Sequence, residues 1–423
     1  MTRMKDSGNP WLREIPSDWF EKKLRYLVEL RGEKSVTTDY KKYVGLENIM
    51  SQTGQYVQTG IEVDLTENLT FEVGDILFGK LRPYLRKYWR AEFSGTASSE
   101  FVIIKGSSLN LNFLFWAIQS DSFINDVDSS TYGSKMPRAS WEYMKNIKLP
   151  FPESIEEQTQ IADFLDKKVA QLDKVKSLLE EQIKTLEDYR QSLIYETVTK
   201  GLDKTVPLKD SGVDWIGQIP EGWGVKPIKY LVSTPVTDGP HETPTLYDEG
   251  IPFLSAESVK NGILDFRYKR GYISETAHKI FSRKVSPQKN DIFIVKSGAT
   301  TGNVGIVNTD EIFDIWSPLA LVRTRSDLAN QKFIYYFMLS DAFTKQIQNK
   351  WSFGTQQNIG MGVIEKIKLV VPPLGEQTPI ADFLDKKTEQ INQMIAIKKE
   401  QIENINKQRQ TLIYDYVTGK GRI

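Results

Sequence analysis

EQTQIADFLDKK occupies Glu157–Lys168, and EQTPIADFLDKK occupies Glu376–Lys387, 219 positions later. The same offset relates LIYETVTKG (Leu193–Gly201) to LIYDYVTGKG (Leu412–Gly421). A second pair, KDSGNPWLREIPSDW (Lys5–Trp19) and KDSGVDWIGQIPEGW (Lys209–Trp223), repeats at an offset of 204. The halves share their beginnings and ends, and little identity lies between. The chain is a tandem repeat in which two related frames hold two different inserts.

The shared ends have a helical period. Leu165, Leu172, Leu179, Leu186 and Leu193 recur every seven residues, as do Leu384, Ile391, Lys398, Ile405 and Leu412. This is a coiled-coil seam interrupted once, by Lys398. Prolines precede both helices (Pro150 and Pro152, Pro372 and Pro373), and Gly201 and Gly419 follow their ends. A helix from Glu156 to Thr199 would be about 66 Å long at 1.5 Å per residue. Such helices could bury their stripes in separate cores. Equal seams in duplicated halves favour packing on each other, and a pseudo-two-fold axis makes that packing antiparallel.

The inserts, Ile15–Pro152 and Ile219–Pro373, read differently. Asp75–Leu81, Phe101–Ile104, Asp291–Lys296 and Val304–Val307 are short apolar runs bounded by Gly, Ser, Asn and Asp. Helical patterns occur near Asn112–Ser122 and Gln331–Ser340. The expected fold is α/β in the α+β sense. It places a strand-rich domain at 1–152, a long helix at 153–200, a second domain at 201–371 and a second helix at 372–423.

Composition narrows the function. The chain has 423 residues, with 55 acids balancing 55 bases, which argues against a protein that coats nucleic acid indiscriminately. Zero cysteine excludes disulfides, thiolate metal sites and a cysteine nucleophile, and with His241 and His278 as the only histidines a His-rich metal centre is not expected. No run approaches 18 apolar residues and the start lacks a signal-peptide stretch, so a cytoplasmic location is expected.

Catalytic motifs are missing. Gly74, Gly79 and Lys80 have P-loop spacing, but Leu81 replaces the magnesium-binding Ser/Thr and the intervening residues read as a strand. Ser297–Gly305 lacks GxGxxG order, and there is no GxSxG, HExxH or N/D-P-P-Y/F/W tetrapeptide.

Polar side chains gather in matching loops. Lys80–Arg90, KLRPYLRKYWR, holds five bases, three aromatics and no acid. Such a segment can neutralise phosphates and grip guanine, which makes Lys80, Arg82, Tyr84, Arg86 and Lys87 candidate DNA contacts. The competing reading is an amphipathic surface segment whose bases pair with acids elsewhere. Tyr132, Ser134, Lys135 and Arg138 follow in a Gly/Ser-rich loop. In the second insert, Lys296, Ser297, Thr300, Thr301 and Asn303 follow a strand resembling GDILF. Thr355, Gln356, Gln357 and Asn358 precede a helix at nearly the spacing of the first insert's loop, and side-chain amides suit adenine edges. His241 and Thr243 lie on a further polar turn, Thr237–Pro244. One frame with two sets of loop letters suits a protein that reads two different sequences.

These features together resemble the specificity (S) subunit of type I restriction-modification enzymes. The likeness rests on GDILFGKLRPYLRK, the doubled signature ending in IADFLDKK, the IPxxW start of each insert and KSGATTG. It covers the whole chain. The resemblance implies two target recognition domains reading a bipartite site in double-stranded DNA, with the helices as a ruler for the unread spacer. It implies two methyltransferase (M) subunits docked on the helices and holding S-adenosylmethionine. It also implies two restriction (R) subunits using ATP and magnesium, and no cofactor, metal or catalysis in this chain. A specificity subunit of a modification-only system, a monomeric DNA methyltransferase and a coiled-coil adaptor are the alternatives.

Overall fold

The computed structural model of the protein describes residues 3–9, 12–36, 42–59, 67–131, 136–350, 352–353 and 357–422. Two compact units form: Met1–Glu180 with Lys399–Ile423, and Glu181–Lys398. The units therefore do not follow the sequence halves.

The repeated motifs explain why. The two long helices are Ile155–Lys200 and Leu374–Val417, of 46 and 44 residues. In the first unit, Ile161, Ala162 and Leu165 from the start of one helix enter the same core as Ile413 and Val417 from the end of the other. In the second unit, Ile380, Ala381 and Leu384 share a core with Ile194 and Val198. Beyond each helix a glycine turns left-handed, Gly419 at φ 72° and Gly201 at φ 73°. A Cβ on Gly419 would lie 2.4 Å from Pro16 Cγ, and one on Gly201 would lie 3.0 Å from the Trp223 ring. The IPxxW motif thus forms the surface on which a helix end is seated, and only glycine fits there.

Polar letters of the signature fasten the helix starts. Gln158 Nε2 donates to the Pro152 carbonyl at 2.8 Å, and its Oε1 accepts from the Asn110 amide at 2.8 Å. Gln377 repeats this with Pro372 at 2.9 Å and Asn330 at 2.7 Å. Asn110 and Asn330 in turn cap the helices Leu111–Ala117 and Gln331–Met338. Asp166 accepts from Trp116 Nε1 at 2.9 Å, and Asp385 from the Tyr336 hydroxyl at 2.6 Å. Few letters of EQTxIADFLD are idle.

Within each unit the helices pair antiparallel. Phe164 meets Tyr416 at 4.4 Å between ring centres, and Asp173 lies 3.5 Å from Arg409. In the second unit Arg190 donates to Asn392 and Lys398 to Gln182, both at 2.6 Å. Leu165, Leu384 and Ile391 are buried, whereas Leu172, Leu179, Leu186, Leu193, Ile405 and Leu412 are half-buried. A two-stranded seam has water on both flanks, so most of its residues are only partly covered, whereas Leu165 and Leu384 also enter a globular core. Lys398 interrupts that seam without an unpaired charge in a core, because its ammonium reaches Gln182 at the flank.

Each globular part is built on a strand covered on both faces. In the first unit, Ile76–Gly79 lies in an antiparallel sheet ordered Val28–Leu30, Phe101–Ser107, Ile76–Gly79, Tyr88–Arg90. Ile76 and Phe78 face one core, and Leu77 faces another that also holds Phe71, Trp89 and Ile103. In the second unit, Ile292–Val295 is the third strand of a six-stranded sheet beginning Thr237–Asp238, Leu319–Val322. Ile292 and Ile294 face the helix-containing core, while Phe293 and Val295 face its neighbour. Burial on both faces is why these strands read as continuous apolar runs rather than alternating ones. The aspartate before each strand has an arginine partner, Arg31–Asp75 and Arg323–Asp291, both at 2.6 Å. No described helix is long and apolar enough to cross a membrane.

Candidate nucleic-acid interface

Both central strands lead into a loop that is sewn to the loop before the last short helix of its unit. In the first unit, Leu81 bridges Arg138, the Arg82 amide donates to the Pro137 carbonyl at 2.7 Å, and the Ala139 amide donates to the Lys80 carbonyl at 2.9 Å. In the second, Ser297 bridges Asn358, and the Ile359 amide donates to the Lys296 carbonyl at 2.8 Å. The separate polar stretches singled out in each insert therefore come together as one surface. Tyr132, Ser134, Lys135, Thr355 and Gln356 lie outside the described residues.

The first surface presents fewer cations than its composition promised. Arg82 and Arg86 take left-handed φ values of 51° and 54° around a short turn led by the buried Pro83, which leaves Arg82 and Tyr84 exposed. Arg138 is exposed and ion-paired with Glu100. Lys80 stands half-buried in that neighbourhood. Burial lowers its pKa, and Glu100 opposes the shift.

Arg86 and Lys87, expected to meet DNA, are engaged within the fold. The Arg86 guanidinium, 15% exposed, pairs with Asp121 and donates to the Gln119 carbonyl at 3.3 Å and to Gln410 at 3.0 Å. The Lys87 ammonium donates to the carbonyls of Leu46 at 2.6 Å and Ile49 at 2.9 Å, and burial pulls its pKa down. Here the amphipathic-segment reading describes these two bases better. A run of bases carries no sequence mark for which of them will face a carboxylate or an unpaired carbonyl.

The second surface is organised by a residue that the sequence reading passed over. Asp238 is fully buried and gathers two ammonium groups and an imidazole: Lys284 at 2.6 Å, Lys296 at 3.0 Å and His241 at 3.1 Å. Burial pushes its carboxyl up, but hydrogen bonds from Lys284 and Lys296 outweigh that and hold it below the usual carboxylate range. Lys296, 13% exposed, is accordingly a counter-ion rather than an open phosphate contact. Gly239 follows because the backbone passes so close to Ile315 that a Cβ would sit 2.1 Å from its carbonyl oxygen. The sequence signal was the acid-glycine pair in TDGPH, visible but without a stated partner.

Thr301 is also internal, its hydroxyl donating to the carbonyls of Gly298 at 2.7 Å and Gln357 at 3.1 Å. It pins the two loops together. Thr300, Asn303, Asn358, His241 and Thr243 are exposed, and Ser297 and Gln357 are half-buried. The two surfaces share a backbone plan and differ in chemistry: Arg and Tyr on one, Thr, Asn and Gln on the other.

A strand-rich domain repeated twice, with a long helix after each copy and divergent loops at equivalent places, defines a two-domain recognition protein. The chain belongs to the family described as the type I restriction modification DNA specificity domain, which matches residues 16–187 and 220–405. It is 25% identical to the MjaVIII type I restriction enzyme specificity subunit of Methanocaldococcus jannaschii, over 97% of this chain and 94% of that one. A second relative from that organism, the putative MjaX specificity subunit, is 26% identical over 97% of this chain and 95% of its own length. The fold matches a chain from a structural study of assembly and conformational transition in a type I restriction-modification system. That match has a TM-score of 0.71 and 19% identity, covering 96% of this chain and 99% of that one.

Proposed function

We propose that this chain is the sequence-reading subunit of a type I restriction-modification enzyme, in which each domain reads one half of a bipartite DNA site through its paired loops. The observation that carries this is the shared loop seam with different exposed letters. The backbone plan sets where the loops stand, and the side chains set what they can bond. Arg82 and Arg138 suit guanine edges or phosphates, and Gln357 and Asn358 suit adenine edges. The two long helices act as the spacer. Methyltransferase subunits dock along the helices and hold S-adenosylmethionine, and restriction subunits supply ATP- and magnesium-dependent cleavage. This chain performs no chemistry itself and works in the cytoplasm. The relatives' names as specificity subunits support the reading.

The test is DNA binding by the chain assembled with its methyltransferase subunits. The complex should prefer its methylated site over a scrambled duplex. Gln357→Ala should cost about 1–3 kcal/mol of discrimination at one base pair of the second half-site. A Gln357→Ala complex with unchanged affinity and motif would remove this residue from the reading surface, and a wild-type complex without site preference would remove the function.

A further inference from the structure

The segment Phe266–Tyr272, FRYKRGY, has three bases and three aromatics in seven residues and no acid. Its composition matches the Lys80–Arg90 run of the first insert, yet it lies outside the paired loops. Its cations are arranged over rings. Lys260 Nζ lies 5.1 Å from the Tyr268 ring centre, Lys269 Nζ 4.9 Å from that of Tyr272, and the Arg270 guanidinium 4.3 Å from that of Trp316. Tyr268 is 48% exposed and the neighbouring Tyr247, whose amide donates to the Tyr272 carbonyl at 2.8 Å, is 50% exposed.

Charge here is only partly answered. Arg267 pairs with Asp265 at 2.6 Å and Arg270 with Glu257 at 3.1 Å. Neither Lys260 nor Lys269 forms an ion pair among the described residues. Their ammonium groups lie over tyrosine rings, and that of Lys269 also donates to the Phe266 carbonyl at 3.4 Å, so both are ordered before any partner arrives and lose little rotamer freedom on binding. The segment is also continuous with the paired loops. Arg270 covers Trp316, the next amide, Ser317, donates to the Pro240 carbonyl at 3.2 Å, and the Lys296 amide donates to the Pro318 carbonyl at 2.8 Å.

We propose that the face carrying Lys260, Tyr268 and Lys269 is a second DNA contact of this domain, which holds the sugar-phosphate backbone beside the loops that read bases. The inference rests on the DNA-reading function proposed above. Ammonium groups held over aromatic rings, Lys260 on the edge strand of the six-stranded sheet and Lys269 just after a short 3-10 turn, suit phosphates. They carry no donor-acceptor pattern that would distinguish one base pair from another.

The experiment uses the full chain with its methyltransferase subunits and the double variant Lys260→Met, Lys269→Met, which keeps unbranched side chains of similar size and removes the charges. Affinity is measured on a duplex with the methylated site and on a scrambled duplex between about 50 and 200 mM salt. The expected result is a salt slope reduced by about two units and roughly 10- to 100-fold weaker binding to both duplexes, with the methylated motif unchanged. An unchanged slope overturns the proposal. So does an unchanged slope with weakened assembly, which would assign the face to an acidic protein surface. A wild-type complex that binds both duplexes equally while the variant loses slope would sustain this contact and defeat the sequence-reading function instead.

Discussion

Asp238→Ala should destabilise the second unit by about 3–5 kcal/mol, because it removes the carboxylate from a buried charge cluster and leaves the cations. Lys296 is the sensitive partner: it is 13% exposed and has Asp238 at 3.0 Å. Its ammonium would have to lose its proton, drag water inward or swing out, and each breaks the seam between the Lys296 and Asn358 loops. The double variant Asp238→Ala, Lys296→Met should recover much of the loss, since the remaining partner, Lys284, is 45% exposed and can stay hydrated. Thermal unfolding of the three proteins checks this. A double variant less stable than Asp238→Ala would show that the pair does not act as a unit. The pH dependence has a definite sign. The folded carboxyl is held below its unfolded value of about 3.9, so its contribution is complete above that pH and is lost as pH falls through the lower folded value.

Removing one heptad from each long helix should abolish methylation at the original spacing and move it to a shorter one. Leu179–Thr185 and Ala396–Ile402 are suitable, because the Gln182–Lys398 contact joins these two stretches and Arg190–Asn392 continues the pairing just beyond them. A seven-residue deletion keeps the apolar seam in register, which a four-residue deletion would not. At 1.5 Å per residue the loss is about 10 Å, or about three base pairs of B-DNA. The half-sites themselves should be unchanged. Methylation retained at the original spacing would mean that the helices do not set it.

The helical frame was legible in the sequence because its signal is redundant. A heptad seam, flanking prolines and glycines and a doubled IADFLDKK all point the same way. The central strands were legible for a related reason: Ile76–Phe78 and Ile292–Val295 are covered on both faces, so their apolar runs are unbroken. The composition of the compact units was not. LIYETVTKG and LIYDYVTGKG are visibly repeated, but nothing in a string of letters says that Ile413 and Val417 complete a core begun near Trp19. At the site, the correspondence between the loops of the two inserts was readable from position, whereas which single bases face solvent was not. Arg86, Lys87 and Lys296 look like DNA contacts until their partners Asp121, Leu46, Ile49 and Asp238 are seen, and those lie between 35 and 58 residues away in sequence. Burial of a charge is a tertiary property, and Asp238 shows that the acid matters as much as the bases it collects.

The central claim is that each domain reads its own half-site. Its most direct test exchanges the insert Ile15–Pro152 for that of a relative with a different target, leaves both helices and the second insert in place, and maps methylated bases across the host genome. The expected result is a hybrid site in which one half changes while the other half and the spacer length stay as they were. A change in both halves, or an unchanged site, would contradict it.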